Sequence, residues 1–547
     1  MRLKYIALLA LFMAFTACND PEDVIPEEEL VVIVEPVALI AGSADFSTYV
    51  SLGNSLTAGF TDNALFKAGQ QNSFPNILAA KFALAGGGAF SQPLTNDNIG
   101  GLLAGGAQLP GFNPRLVFGG SGPVPLSAVI GPVVPTTDIA LNNPSGPFNN
   151  MGVPGAKSFH LLAPGYGNLA NLSLGLANPY YVRMTGSTPD ASILQLAMAQ
   201  SPTFFTLWAG NNDVLGYATT GGDGTNPITG QATFDFAIST LVSTLTGGGA
   251  KGVMANIPDV TTIPHFTTVP HNPLSPTNES FGPLIPTLNG VFGQLNQVFA
   301  YLESQGVPNA TARSIVFSST EASAVVIKDE ALLDLSTQIT AVLLQSPTFP
   351  AFVQSFGLPA QAAPIVANLF GAIYGQARQA TEDDLFVLPS ISVIGTVNTS
   401  SVAFLMSQGL SQALAGQFSV EGVSLPLEDK WVLLPSEQLE IKTATDNFNA
   451  TIATAASGAG LAFVDANSLM QQLASGGFKD GNYTMTANLV TGGAFSLDGV
   501  HPTARGYALI ANEFMKAIDA TYGSNFELSG SLLDIGNAPT NFSPTLQ

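Results

Sequence analysis

The sequence predicts an α/β protein built on a parallel sheet with helices on both faces. Three observations predict it. Short, nearly uncharged runs such as residues 203–209 (TFFTLWA) and 252–257 (GVMANI) read as strands buried on both sides. Longer helix-like segments alternate with them. Each run ends in a turn carrying Gly, Asn or Asp, and in parallel sheets a site forms beyond the carboxyl ends of the strands.

Taken in order, residues 48–52 are the first strand. Residues 73–84 (SFPNILAAKFAL) are the helix after it, with Ser73 as cap and Pro75 in the first turn. Residues 86–150 are rich in Gly, Pro and Asn with little periodicity, which marks a long excursion. An apolar-then-turn pattern returns at 150–158 (NMGVPGAKS). The strand at 203–209 ends at Gly210-Asn211-Asn212-Asp213. A helix at 234–245, the strand at 252–257 and an amphipathic helix at 284–305 follow. Residues 313–435 fit the alternation poorly; their apolar part, 329–377, is broken by Pro347, Pro350, Pro359 and Pro364. Pro435-Ser436 opens a helix with Ser436 as its expected cap and an apolar face over 439–452. A strand at 461–464 ends at Asp465, and 504–520 is the closing helix. No internal repeat at a fixed period is visible.

Composition narrows the function classes. The 547 residues are 46% hydrophobic and only 10% charged, so a large core can be buried. Thirty-eight acidic against 16 basic side chains give a net charge of −22. Such a chain repels nucleic acid, and no basic stripe offsets the charge. After the N-terminus, no stretch is long and apolar enough for a clear membrane span.

The one cysteine, Cys18, stands at the end of a basic start (Met1-Arg2-Leu3-Lys4) and an apolar run over 5–15. This resembles a bacterial lipoprotein signal in which Cys18 becomes the lipidated first residue, although Phe15 is a loose fit. The acidic, Pro-punctuated run after it resembles the surface-exposed lipoproteins of the Bacteroidetes type. The expected organisation is a signal peptide over 1–18, an acidic tether over 19–45, a folded domain over 46–525 with insertions at about 86–150 and 313–435, and a tail over 526–547. The expected location is the outer membrane, anchored by the lipidated N-terminus and open to exposure at the cell surface.

The chemistry centres on two segments. Tyr49-Val50-Ser51-Leu52-Gly53-Asn54-Ser55-Leu56 places Ser55 on a turn from strand to helix, where a hydroxyl is presented at the sheet edge. A serine needs a base to become a nucleophile. Of the four histidines (His160, His265, His271 and His501), His501 has the best setting: Asp498-Gly499-Val500-His501-Pro502 puts a carboxylate three residues before it, within reach of Nδ1–H. Oxyanion donors are expected from the Asn212 amide and the backbone N–H groups of Gly155 and Ser55. Other patterns fail: Thr57 occupies the last position of a Gly-x-Ser-x-Gly elbow, GVPGAKS has the wrong spacing for a phosphate loop, and no cluster shows metal-ligand spacing. The acidic patch Glu382-Asp383-Asp384 reads as a solvated turn.

Gly53-Asn54-Ser55-Leu56, Gly152-Val153-Pro154-Gly155-Ala156, Gly210-Asn211-Asn212-Asp213 and Asp498-Gly499-Val500-His501-Pro502 resemble, in order, the four sequence blocks of the SGNH (GDSL-like) hydrolase family. The resemblance implies a flavodoxin-like three-layer α/β/α fold and hydrolysis of carboxylic esters without metal or organic cofactor. It implies Ser55 as nucleophile, His501 as base, Asp498 as its orienter, and Ser55, Gly155 and Asn212 at the oxyanion hole. Asn54 departs from the family's usual Asp. The substrate would be a small-molecule, lipid or glycan ester, with polysaccharide O-acetyl groups one option. The competing class is a non-catalytic glycan- or lipid-binding surface lipoprotein on the same scaffold. The apolar section at 329–377 reads as a helical insertion, with a lid over an acyl chain as the functional alternative.

Overall fold

Five short strands line up in parallel in the computed structural model, which describes residues 37–481 and 483–546. They are β1 (Tyr49–Gly53), β2 (Asn150–Gly152), β3 (Phe204–Trp208), β4 (Lys251–Ala255) and β5 (Ala462–Val464). Their order is β5-β4-β3-β1-β2, and every pairing is parallel. The chain enters mid-sheet, steps out to β2, then crosses back and proceeds to β5. That is the doubly wound flavodoxin-like order, with its switch point between β1 and β3.

Side-chain alternation divides the core into two layers. Val50, Leu52, Phe205 and Leu207 face α4 (Gln231–Thr246) and α6 (Pro435–Gly458), where Phe234 stacks on Phe448 at 4.0 Å. Tyr49, Phe204 and Trp208 face α2 (Phe74–Leu84) and α8 (Ala504–Tyr522), through Phe82 and Phe514. The sheet is thus apolar on both faces, as its uncharged strands require.

A second apolar core lies within residues 269–434. It takes in α5 (Ile285–Ser304), which precedes the stretch set apart in the sequence, together with helices Ser336–Gln345, Phe349–Ser355 and Ala363–Tyr374. The prolines define the breaks: Pro350 and Pro364 sit in the first turns of the last two helices, where a missing N–H costs nothing. Among the described residues no single helix is long and apolar enough to cross a membrane.

Three local expectations are corrected. Ser436 is not the cap of α6. Leu434 holds that position, Pro435 opens the helix, and the Glu437 carboxylate accepts the Leu434 N–H at 2.7 Å. Ser73 does stand at the cap position of α2, but its hydroxyl bonds Gln92 instead of the helix. Asp384 is not solvated: it is 3% exposed and takes two bonds from Arg378, at 2.6 and 2.7 Å, while Arg378 Nε reaches Asp329 at 2.6 Å. A guanidinium supplied from a neighbouring strand is invisible in a local acidic run.

The leader, Cys18 and the tether through residue 36 lie outside the described residues. Chain order begins before Phe46: Ile40 N–H donates to Asn525 Oδ1 and Ser43 N–H to the Tyr522 carbonyl, both at 2.8 Å. The final segment is also packed. Phe526 is fully buried, and Arg115 Nη2 donates to the Ser543 carbonyl at 2.6 Å.

Candidate active site

β1 stops at Gly53 because the next turn leaves no room for a side chain. A Cβ there would lie 2.5 Å from the Trp208 carbonyl and 2.2 Å from Thr57 Oγ1. The chain turns at once into the four-residue helix α1 (Ser55–Ala58). Asn54 caps it: its Oδ1 accepts the Leu56 N–H at 3.0 Å. Its Nδ2 donates to Asn211 Oδ1, also at 3.0 Å, and both residues are buried. Ser55 is the first residue of α1, so its own N–H is one of the donors a helix start leaves unpaired.

The acid–base segment is tied down more heavily. Asp498 Oδ2 lies 2.8 Å from His501 Nδ1 and accepts the Asn63 N–H at 2.9 Å. Oδ1 accepts the N–H groups of Val500 and His501, each at 2.8 Å, and the Ser496 hydroxyl at 3.1 Å. One carboxylate therefore meets five donors. Burial alone would raise its pKa; the imidazole of His501 and these hydrogen bonds overcome that and hold the carboxyl far below the ordinary range. An ionised carboxylate only accepts, so His501 carries its proton on Nδ1 and presents Nε2 as an acceptor. The Phe60 ring sits 4.6 Å from the imidazole, centroid to centroid.

Sequence reading missed the turn that supplies one of those donors. Asp62 and Asn63 are consecutive left-handed residues, with φ of 51° and 62°, and Thr61 and Ala64 exchange hydrogen bonds around them. This is a primed two-residue turn, a conformation Asp and Asn tolerate better than most residues. Besides the Asn63 bond, Asp62 N–H donates to Ser496 Oγ at 3.0 Å, and Leu497 N–H donates to Asp62 Oδ1 at 3.2 Å. Burial pushes the Asp62 carboxyl up to about 7, with Leu497 N–H opposing, Asp498 adding and Arg115 opposing. The local signal was Thr61-Asp62-Asn63 itself; its partner lies more than 430 residues away. His265 was named in the sequence but not placed. Its N–H donates to the Gly499 carbonyl at 2.9 Å, and burial pushes its ring down to about 4.

The two remaining blocks meet one another. Asn212, in the first turn of α3 (Asn211–Thr219), donates from Nδ2 to the Ala156 carbonyl at 2.9 Å. One amide hydrogen stays available. The buried carboxylate of Asp213 receives the Ser158 N–H at 2.8 Å and hydroxyl at 2.7 Å, which fixes the loop after β2. Gly155 adopts φ +80° in that loop. It is exposed and does not line the cavity beside Ser55, whereas its neighbour Ala156 is held by Asn212.

Ser55, Asn212 and His501 line one cavity of about 100 Å³. Its other walls are mainly apolar, with Leu469, Met470 and Leu473 of α7 (Ala466–Ser475) on one side and Leu509 of α8 on another. Asp498 sits behind His501 and does not line it. The arrangement sets a hydroxyl and an imidazole acceptor on one water-poor wall, which suits acyl transfer. Elsewhere the fold gathers carboxylates that sequence spacing does not reveal: Glu330, Asp429 and Glu437 each bring one oxygen within 4.8 Å of the others. Burial, reinforced by these neighbouring acids, pushes Glu437 up to about 8 and Asp429 up to about 6, so the cluster relieves its charge by taking protons.

A parallel doubly wound sheet with helices on both faces and this edge defines a flavodoxin-like three-layer α/β/α class of chain. Residues 354–514 match the family model described as GDSL-like Lipase/Acylhydrolase. The match covers less than a third of the chain; over that span it supports the SGNH (GDSL-like) hydrolase resemblance and, in general terms, a hydrolase acting on esters. The matched span contains Asp498 and His501; Ser55, Gly155 and Asn212 precede it. Searches of curated proteins and of solved structures returned no match.

Proposed function

We propose that the chain is a serine ester hydrolase that works through an acyl-enzyme on short acyl groups. Ser55 Oγ attacks the ester carbonyl while His501 Nε2 takes its proton. Asp498 holds the imidazole in that tautomer and balances the imidazolium that forms. The developing oxyanion is held by the Ser55 N–H and the free amide hydrogen of Asn212. His501 returns its proton to the departing alcohol, then activates the water that releases the acid. The observation that carries this reading is that Ser55 and His501 line the same apolar cavity with Asp498 2.8 Å behind the imidazole.

The cavity volume supports acetyl-sized acyl groups over long chains. An engineered cavity of about 150 Å³ just admits benzene, and this one is smaller. An acetylated sugar or another short ester fits that limit. Export and anchoring through Cys18 belong to the same proposal and rest on the leader sequence; mass spectrometry of the membrane-extracted chain, reading a diacylglyceryl group on Cys18, tests them.

Ser55→Ala is the direct test of catalysis. It should abolish p-nitrophenyl acetate turnover and fluorophosphonate labelling, a loss on the order of 10⁴ or more, with the thermal transition unchanged. Undiminished turnover in that variant refutes the mechanism. Absence of labelling in the parent chain favours a binding role on a hydrolase scaffold.

A further inference from the structure

A second cleft, larger than the one beside Ser55, lies apart from it. It encloses about 930 Å³ within the second apolar core and shares no lining residue with the smaller cavity. Its floor is buried: Val291, Phe292 and Val423 are exposed by 5% or less. Its lips are apolar and open to solvent at Leu284, Ile391 and Val397. Protein interiors rarely leave voids larger than a water molecule, and exposed apolar lips around a deep apolar floor mark a ligand site.

The lining selects the ligand. Among the described residues, no Asp, Glu, Lys, Arg or His lines this cleft. Part of the wall's polarity is already engaged: Asn278 Oδ1 accepts the N–H groups of Ser280 and Phe281, Ser275 pairs with Thr277, and Ser424 Oγ donates to the Gln417 carbonyl. A carboxylate or phosphate inside would find no cation. A peptide would leave its backbone N–H and C=O groups unpaired, at a cost comparable to lost hydrogen bonds. Water needs two to four polar partners, which the floor does not supply. The Gln417 side chain, exposed at the mouth, is placed to meet a hydroxyl or ester group outside.

We propose that this cleft binds the hydrocarbon chain of an uncharged lipophile, a neutral long-chain ester or alcohol, at a site separate from the cavity beside Ser55. The volume falls in the range of small-molecule pockets, and the occupant's polar end remains at the rim.

Photolabelling of the Ser55→Ala chain with a diazirine-bearing oleyl alcohol tests this, because turnover cannot consume the probe and a failed catalytic reading does not affect the result. The expected outcome is saturable labelling of peptides within residues 269–292 and 391–424. Monoolein should compete at least about tenfold better than oleate at pH 8, because a carboxylate partly desolvated at the rim meets no lining cation. Ala413→Trp and Val397→Trp, both at exposed positions of the mouth, should each cut labelling several-fold; introduced into the parent chain, they should leave its melting temperature and p-nitrophenyl acetate turnover unchanged. Unsaturable labelling, labelling confined to the peptides that carry Leu469–Leu473 or His501–Leu509, equal competition by oleate, or undiminished labelling of both Trp variants would overturn the proposal.

Discussion

Asn54 and Asn211 meet through one buried amide–amide hydrogen bond of 3.0 Å, and it explains how an asparagine stands where the family's usual residue is aspartate. Oδ1 of Asn54 keeps the helix-capping role a carboxylate would have, accepting the Leu56 N–H. Nδ2 adds a donation that a carboxylate cannot make, and Asn211 receives it. Asn54→Asp should therefore be accommodated by rotation of the Asn211 amide, with kcat/KM within about threefold of the parent. Asn54→Ala removes the cap and strands the buried Asn211 carbonyl, so stability should fall by about 2 kcal/mol. The Ser55 turn would shift with it, and kcat/KM should fall tenfold or more. Urea denaturation and p-nitrophenyl acetate kinetics read both effects; an Asn54→Ala variant matching the parent in each would sink the account.

Asp498→Asn should be far more damaging, because five donors converge on that carboxylate. Whichever way the amide turns, its NH₂ faces a backbone N–H. If it faces His501 Nδ1, the proton moves to Nε2 and the base is lost. The expected loss in kcat is on the order of 10³ to 10⁴. The carboxyl is held below its unfolded value, so its stabilisation is present above that value and is lost as pH falls through the folded one. The stability gap between parent and variant should thus persist down to about pH 5 and narrow only in stronger acid. A gap that already closes between pH 7 and 5 would contradict this.

Asp62 should show the opposite sign. Its folded value is raised to about 7 by burial, against about 3.9 in the unfolded chain. The folded state then binds the extra proton, so the contribution is full below about pH 4 and is lost as pH rises through 7. Asp62→Asn keeps an acceptor for the Leu497 N–H and removes the titration. The stability of the parent relative to Asp62→Asn should fall by about 2.7 kcal/mol between pH 5 and pH 8, the two units from pH 5 to the folded value at about 1.4 kcal/mol each. Paired denaturant titrations at the two pH values measure it, and a pH-independent difference would show that Asp62 stays ionised throughout.

What could be read in advance follows from the range of each interaction. Ser55, and the Asp498–His501 pair, sit in short local patterns: a strand meeting a turn, and a carboxylate three residues from a ring. The strands and α8 were legible because apolar runs and helical periodicity are properties of one segment. The Asp62-Asn63 turn was not, since its meaning depends on Ser496, Leu497 and Asp498. Asp384 differs: its partner Arg378 is only six residues away, but nothing in the acidic run shows that the chain folds the guanidinium back onto it. The insertion core was obscured because α5 has the same apolar periodicity as a helix packed on the sheet; only its contacts with Tyr374 and Phe317 show which core it joins.

The small cavity beside Ser55 makes a prediction about acyl length. At about 100 Å³, walled by Leu469, Met470 and Leu473, it accepts a few carbons before α7 blocks the chain. In a p-nitrophenyl ester series from acetate to dodecanoate, kcat/KM should peak at two to four carbons and fall by about 10² at eight, as the misfit pushes the carbonyl from its position near Ser55. Leu469→Ala is the informative variant because Leu469 is half-buried, and truncating it costs less stability than at a fully buried site. It should move the optimum to longer chains by about two carbons while leaving the acetate rate within about twofold, since it acts on the acyl end and not on the reacting atoms. If octanoate were cleaved as fast as acetate by the parent chain, or if Leu469→Ala lowered all chain lengths equally, the cavity would not be where the acyl group binds.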